Sequence, residues 1–472
     1  MVNDIWQASA VEQRKAVAAK KVSASEILEQ HLALVERLNP TVNAVVAIDV
    51  EVARSTAAEI DQKLFKGEPV GPLAGLVTAH KDLTETKDFI TTYGSPAFAE
   101  HRPPSDSLLV SRIKAAGAVA IGKTNTPEFG AGSHTFNPVY GTTVNPYDPT
   151  RSAGGSSGGA AVALRCGMVS IADGSDAGGS LRNPAAWNNV VGFRSSSRMV
   201  PRVGLSNPWS TVAIEGPMAR TVDDLMMLFR VMAQPDDRDP LSRPVQLPEV
   251  LTPPNRPLRV AWSPDLGGLP IDPDVSSTLG SFVAEAESAL GWNIEEATVD
   301  LDGADEVFLT LRALAYMSSG AAELGEGLTQ VKATVREEIQ RGQSLTSDEI
   351  NRALVHAGVL WRRSVDFFKN YDLLIAPVTQ VSPFPIEQEY PTKVDGQPMN
   401  HYIEWMKSNY LISATALPAL SLPAGFTSSG MPVGAQLVGG PYGDIGVLRA
   451  AKALEAATGH GNHWPDLASL GS

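Results

Sequence analysis

The sequence predicts an α/β protein built from layered strands and helices. Short apolar runs alternate with longer stretches of helical periodicity from one end to the other, so strands and helices are interleaved rather than segregated. The composition, 43% hydrophobic and 19% charged over 472 residues, supplies ample apolar material for a large core. No internal repeat interrupts the pattern.

In chain order, Ser23 and Glu26 form a capping-box pattern that opens a helix, and Ile27, Leu28, Leu32, Val35 and Leu38 fall on its apolar side. Asn39-Pro40 is expected to stop that helix near Leu38. Residues 75–79 (GLVTA) and 118–121 (AVAI) read as buried strands flanking a helix over 107–116. Residues 258–262 (LRVAW) read as the next clear strand after the central glycine-rich region. It is reached through a connection carrying Pro240, Pro244, Pro248, Pro253, Pro254 and Pro257. That connection, near 240–257, is the best place for a boundary between two lobes, although one surface-hugging excursion within a single unit 1–472 explains it equally well. Residues 373–376 (LLIA) and 433–438 (VGAQLV) are further strands, and a closing helix over 446–457 returns the chain to the same sheet.

Residues 151–182 carry eight glycines and six serines, yet contain a helix-like apolar segment (160–164) and a strand-like one (168–172). Flexible linkers do not carry buried-type elements between their glycines, so the region reads as two glycine turns folded around a site. In the second turn, Ala177-Gly178-Gly179-Ser180 precedes Pro184 near a helix start, and consecutive N–H groups there can converge on a developing oxyanion. Ser180 is therefore a candidate nucleophile. A hydroxyl needs a group to take its proton. Ser156, 24 residues upstream with Ser157 beside it, can relay a proton but not store it. With no histidine in this region, the base is a lysine made neutral by desolvation, and Lys81, at the end of the strand 75–79, stands where α/β enzymes place chemistry.

The segments HKD (80–82), GKTNTPEF (122–129), GGSSGG (154–159), GSDAGGSLR (174–182), GPMART (216–221) and MPVGAQLVG (431–439) together resemble the amidase signature family over nearly the whole chain. The resemblance implies an α/β/α sandwich with a mixed, twisted central sheet. It also implies a Ser-cisSer-Lys triad of Ser180 as nucleophile, Ser156 as relay on a cis peptide and Lys81 as base. It places the N–H groups of Ala177, Gly178, Gly179 and Ser180 at the oxyanion and Gly130 against the substrate, and gives Ser157, Asp176 and Arg182 structural roles. His80 and Asn188 depart from it, standing where a small apolar residue and a cysteine are usual. Asp82 is expected to face away from Lys81, because its charge would hold the amine protonated.

Other patterns fit less well. Residues 117–124 match a phosphate loop, but 118–121 is a strand rather than an open turn. Residues 154–158 match the GxSxG elbow of α/β-hydrolases with Ser156 attacking, but no strand leads into it. Ser111 to Lys114 matches SxxK without its companion motifs. His460, His463 and Asp466 sit close in sequence, in a stretch that reads as surface tail, and no metal or cofactor is expected. The single cysteine, Cys166, excludes an intrachain disulfide and reads as a small buried residue.

The net charge of −14 argues against nucleic-acid or anionic-membrane partners. With no basic leader and no membrane-length apolar run, a cytoplasmic monomer or homodimer is expected. The expected function is hydrolysis of a small amide, ester or carbamate. Pocket walls are sought in 205–216, with Trp209, and in 383–405, with Phe384, Tyr390, Tyr402 and Trp405, which favours hydrophobic or aryl amides, anilides and carbamates. Two alternatives are the ammonia-supplying component of a transfer-RNA amidotransferase, for which residues 313–368 show no supporting tract, and a non-catalytic binding protein on the same scaffold.

Overall fold

The computed structural model describes residues 4–471, apart from the side chains of Glu323 and Glu326. Strands β1 (Val45–Val46), β2 (Val77–Lys81) and β3 (Val119–Thr124) form a small sheet in the order β1-β3-β2, with β2 and β3 parallel. The central sheet has eight strands: β4 (Ala172–Asp176), β5 (Val191–Arg194), β6 (Ile214–Ala219), β7 (Arg259–Trp262), β8 (Asn293–Glu296), β9 (Leu373–Pro377), β10 (Ala419–Phe426) and β11 (Pro432–Val438). Their order is β8-β7-β9-β11-β10-β5-β6-β4. The β8, β7 and β9 strands are parallel and the remaining pairs antiparallel, so the sheet is mixed, as the resemblance implies.

The layering follows from the period of two along these strands. Leu373 and Ile375 join one core with Leu420, Leu422, Val433 and Leu437, whereas Leu374, Ala376, Ala419 and Val438 face a second core. Both faces are apolar and both must be covered. Helices Val222–Met232, Pro273–Leu290 and Asp444–Thr458 cover the first face through Leu225, Phe229, Leu279, Phe282, Leu448 and Leu454. Ile412 and Leu417 lie against the second. Each such leucine or phenylalanine contributes about 1.5–3 kcal/mol by leaving water.

Two expectations are corrected. Helix Ala24–Val42 continues past Pro40, because a proline in the final turn removes only one helical bond. The helix ends at Asn43 (φ 49°), whose N–H donates to Asn39 O at 2.8 Å, while Asn39 Oδ1 accepts from Ala44 and Val45. The strand expected over 168–172 starts only at Ala172, because Ser170 is drawn into a buried polar cluster with Gln13 and His31. The strands carrying Lys81 and Lys123 form the small sheet, apart from the eight-stranded one. The proline-rich connection runs between Met232 and Arg259, and strands on both its sides lie in the eight-stranded sheet. Cys166 is fully buried, and burial pushes its thiol up to about 12.

Candidate active site

Lys81 is the last residue of β2, a strand buried along its whole length. There the chain turns away, and Asp82 is tied into the following loop, accepting from the N–H of Thr92 at 3.0 Å and from its hydroxyl. Asp82 thus points to the loop rather than to the lysine amine, as expected. Lys81 Nζ donates to Ser156 Oγ at 2.7 Å, Ser157 Oγ at 2.8 Å and Ser175 Oγ at 3.0 Å. Ser157 turns its own proton toward Ser175 O at 3.4 Å. Its oxygen therefore serves Lys81 as an acceptor. When the amine loses a proton, the free lone pair can be met by Ser156.

The first glycine turn carries Ser156 and Ser157 into helix Gly158–Arg165. The Gly155-Ser156 peptide bond is cis. The helix seats directly on the chain that follows β3: a Cβ on Gly159 would lie 2.3 Å from the backbone nitrogen of Asn125. This close approach is why the block needs glycine.

The second turn leaves β4 at Asp176 and enters the short helix Arg182–Trp187. Ser180 O accepts from Ser157 N–H at 3.2 Å, which fixes the two turns against each other. Gly179 has φ +116°, and a Cβ there would come within 2.5 Å of the Asn409 side chain. Its N–H donates to Asp176 Oδ1 at 2.9 Å. That contact corrects the four-donor expectation, since Gly179's N–H is committed inward. The N–H groups of Ala177, Gly178 and Ser180 have no such acceptor among the described residues, and all three residues are half-buried rather than sealed. Gly130 faces the same space, with a Cβ at its position 3.5 Å from Ser156 Oγ and 2.9 Å from Leu83.

Asp176 anchors this turn. It accepts from Arg182 Nε and Nη2 at 3.0 and 2.9 Å, from Leu181 N–H at 3.1 Å, and from Arg194 at 3.3 Å. Burial alone would raise its carboxyl, but the two guanidinium groups hold it far below the usual carboxylate range. Arg182 also donates to Asn409 O, Gln436 and Ser413, which ties the second turn to β11 and to helix Lys407–Ala414. For Lys81 the balance is reversed. Burial lowers the amine from 10.5 to about 7, against the upward pull of Asp176 and Asp173. Near neutral pH this lysine can exchange a proton with a hydroxyl.

The aromatic residues sought as pocket walls divide. Trp405 is sealed in a core, stacked on Trp187 at 5.0 Å with its Nε1 donating to Ser133 Oγ at 3.0 Å, and Phe384 packs edge-on against both rings. Neither offers a free wall. The reason is that 383–405 folds back under the residues before the first turn, where Ser133 Oγ also donates to Tyr402 O at 3.3 Å. Tyr402 is buried with its hydroxyl accepting from Arg312, Tyr390 is half-buried, and Trp209 is 67% exposed. Closer to the turns are residues the sequence reading missed. Phe308 and Tyr410, stacked at 4.5 Å, close over Gly178, and Leu83 closes over Gly130. No local sequence signal marks them. Ser175, the third hydroxyl on Lys81, sits inside the GSDAGGSLR segment and could have been found there.

The competing patterns have structural explanations. Lys123 of the phosphate-loop pattern is buried on β3, donating to Thr84 O, Thr86 and Thr91, with burial lowering it to about 8. Lys114 of SxxK is half-exposed and pairs with Asp88. His460 bonds Glu285 at 2.9 Å, and Asp466 caps helix Leu467–Leu470.

The amidase family profile matches residues 26–448. The chain is 34% identical to an acylamidase of Rhodococcus erythropolis over 461 residues, covering 95% of each sequence. It is 32% identical to the A-type component of the glutamyl-tRNA(Gln) amidotransferase of Picosynechococcus sp., covering 95% of this chain and 98% of that one. Among solved structures, a bacterial aryl acylamidase superposes with a TM-score of 0.90 at 28% identity, over 98% of both chains. This chain belongs to the amidase signature family.

Proposed function

We propose that the protein hydrolyses amide-type carbon–nitrogen bonds of small molecules through a seryl acyl-enzyme, with Ser180 as nucleophile, Ser156 as relay and Lys81 as base. The observation that carries this reading is the buried Lys81 amine, lowered to about 7, with the Ser156 hydroxyl at 2.7 Å. As Ser180 Oγ bonds to the substrate carbonyl carbon, its proton passes to Ser156, and the proton of Ser156 passes to Lys81 Nζ. The carbonyl oxygen takes the negative charge and meets the N–H groups of Ala177, Gly178 and Ser180. The proton then returns through Ser156 to the leaving nitrogen, the C–N bond breaks, and water repeats the sequence on the acyl-enzyme. The same reading takes 1–472 as one unit working without a cofactor.

The substrate class we infer is a hydrophobic or aryl amide, anilide or carbamate. Leu83, Phe308 and Tyr410 crowd the approach to Gly130 and Gly178, and apolar and aromatic walls suit an apolar acyl or aryl group. The acylamidase relatives point the same way. The test is hydrolysis of a panel of anilides, primary amides, esters and carbamates by wild type and Lys81→Arg. Apolar anilides or carbamates are expected to lead the panel, with the arginine variant losing amide turnover because a guanidinium cannot accept the proton. Exclusive turnover of glutamine or asparagine would overturn the substrate class. It would favour the second reading, the ammonia-supplying component of a transfer-RNA amidotransferase, for which the amidotransferase relatives speak.

A further inference from the structure

The strands β2 and β4 belong to different sheets yet lie side by side. Ser170 N–H donates to Val77 O at 2.8 Å, and Lys81 N–H donates to Asp173 Oδ2 at 3.3 Å. Asp173 has no exposed surface. Its Oδ1 accepts from His80 Nδ1 at 2.6 Å, and its Oδ2 also lies 3.4 Å from the Thr84 hydroxyl. One buried carboxylate thus grips the residue before the lysine through its side chain and the lysine itself through its backbone.

The charges around Lys81 are not equally compensated. Asp176 and Asp173 both favour the ammonium. Asp176 spends its charge on Arg182 and Arg194. Among the described residues, Asp173 has only His80 as a side chain able to carry positive charge in contact, because Lys123 on β3 turns its amine to Thr84, Thr86 and Thr91. The remaining neighbours are occupied: Asp82 by Thr92, Glu215 on β6 by Arg202 at 3.5 Å, and Asp88 by Lys114. His80 lines a small cleft with Asp88, Lys114, Thr56, Thr86 and Phe89.

We propose that Asp173, held by His80, is a positioning residue for the reaction: it fixes the strand end that carries Lys81 and sets how readily that amine releases its proton. This rests on Lys81 being the base. A carboxylate near an amine stabilises the ammonium, so removing the Asp173 charge shifts the amine toward its free form.

The experiment is the pH profile of covalent labelling by a sulfonyl fluoride, which reads the activated hydroxyl without needing a leaving nitrogen, together with the profile of kcat/KM on an anilide. Asp173→Asn is compared with wild type, and the doubly neutral His80→Asn/Asp173→Asn variant is the alternative should an unpaired His80 prevent folding. In both variants the acid limb is expected to move down by about one pH unit, raising labelling at pH 6 about fivefold as a share of its plateau. A limb within 0.2 units of wild type, or one moved upward, would overturn the proposal and leave Asp173 a purely structural residue. Lys81→Ala separates the two levels. If it abolishes labelling while the Asp173 variants keep the wild-type limb, only the present inference fails. If it labels like wild type, the assignment of the base fails as well.

Discussion

Burying a lysine amine to make it a base has a thermodynamic cost that can be measured apart from activity. In water about three in ten thousand lysine amines are free at pH 7, whereas an amine lowered from 10.5 to about 7 is roughly half free. The unfolded chain binds the proton more tightly than the folded one, so the penalty is complete below pH 7 and vanishes as pH rises through 10.5. At pH 7 the shift corresponds to roughly 4 kcal/mol against folding, falling to about 2 kcal/mol at pH 9. Lys81→Met keeps an apolar side chain of similar length and removes the titration, while the three serine hydroxyls lose a donor at a cost that does not depend on pH. The difference in urea unfolding free energy between Lys81→Met and wild type should therefore move by about 2 kcal/mol in favour of wild type between pH 7 and pH 9. Activity of the variant should be absent throughout. A difference constant to within about 0.5 kcal/mol over that range would refute the argument, because it would mean that Lys81 titrates alike in the folded and unfolded chain.

Ser180→Ala should abolish both turnover and labelling, while Ser156→Ala, in which a water can replace the relay, should lose about 10²–10⁴-fold. Mass spectrometry of labelled wild type locates the adduct, and modification of Ser156 instead of Ser180 would favour the elbow geometry. Gly179→Ala places a Cβ within 2.5 Å of Asn409 at φ +116°, and displacing the turn by about 1 Å should lower kcat/KM on the order of 10²-fold. Wild-type kinetics in that variant would show that the turn does not position the reaction. Arg182→Met leaves buried Asp176 with Arg194 as its remaining cation, and denaturation should show a loss of about 3 kcal/mol. The depressed Asp176 carboxyl contributes stability above its unfolded value and loses it as pH falls, so in this variant acid unfolding should begin at a higher pH.

Much of the fold was legible because its signals are local. The capping box at Ser23 and Glu26 forms with both reciprocal bonds, and β3, β7, β9 and β11 fall on the apolar runs that announced them. Local signals also misled where a distant contact competed. Pro40 sits inside its helix, and Met168 to Ile171 yields its strand character to the polar cluster around Ser170. The aromatic run 383–405 looked like a pocket wall because aromatic residues in loops often are. Trp405 instead found Trp187, 218 positions away in the chain, and a ring with that much apolar surface is buried where it can stack.

The sequence by itself determined the family, the α/β layering and the three residue types at the centre of the site, since glycine turns, a strand-end lysine and paired serines each have a local physical reason for their spacing. Only the tertiary structure decided how those residues are tuned. Ser175 as a third partner of the amine and the coupling of His80 to Asp173 join residues brought together by the packing of two sheets. The lowered proton affinity of Lys81 is of the same kind. It arises from the loss of water on every side of the amine, a sum over the whole surrounding fold that no stretch of sequence contains.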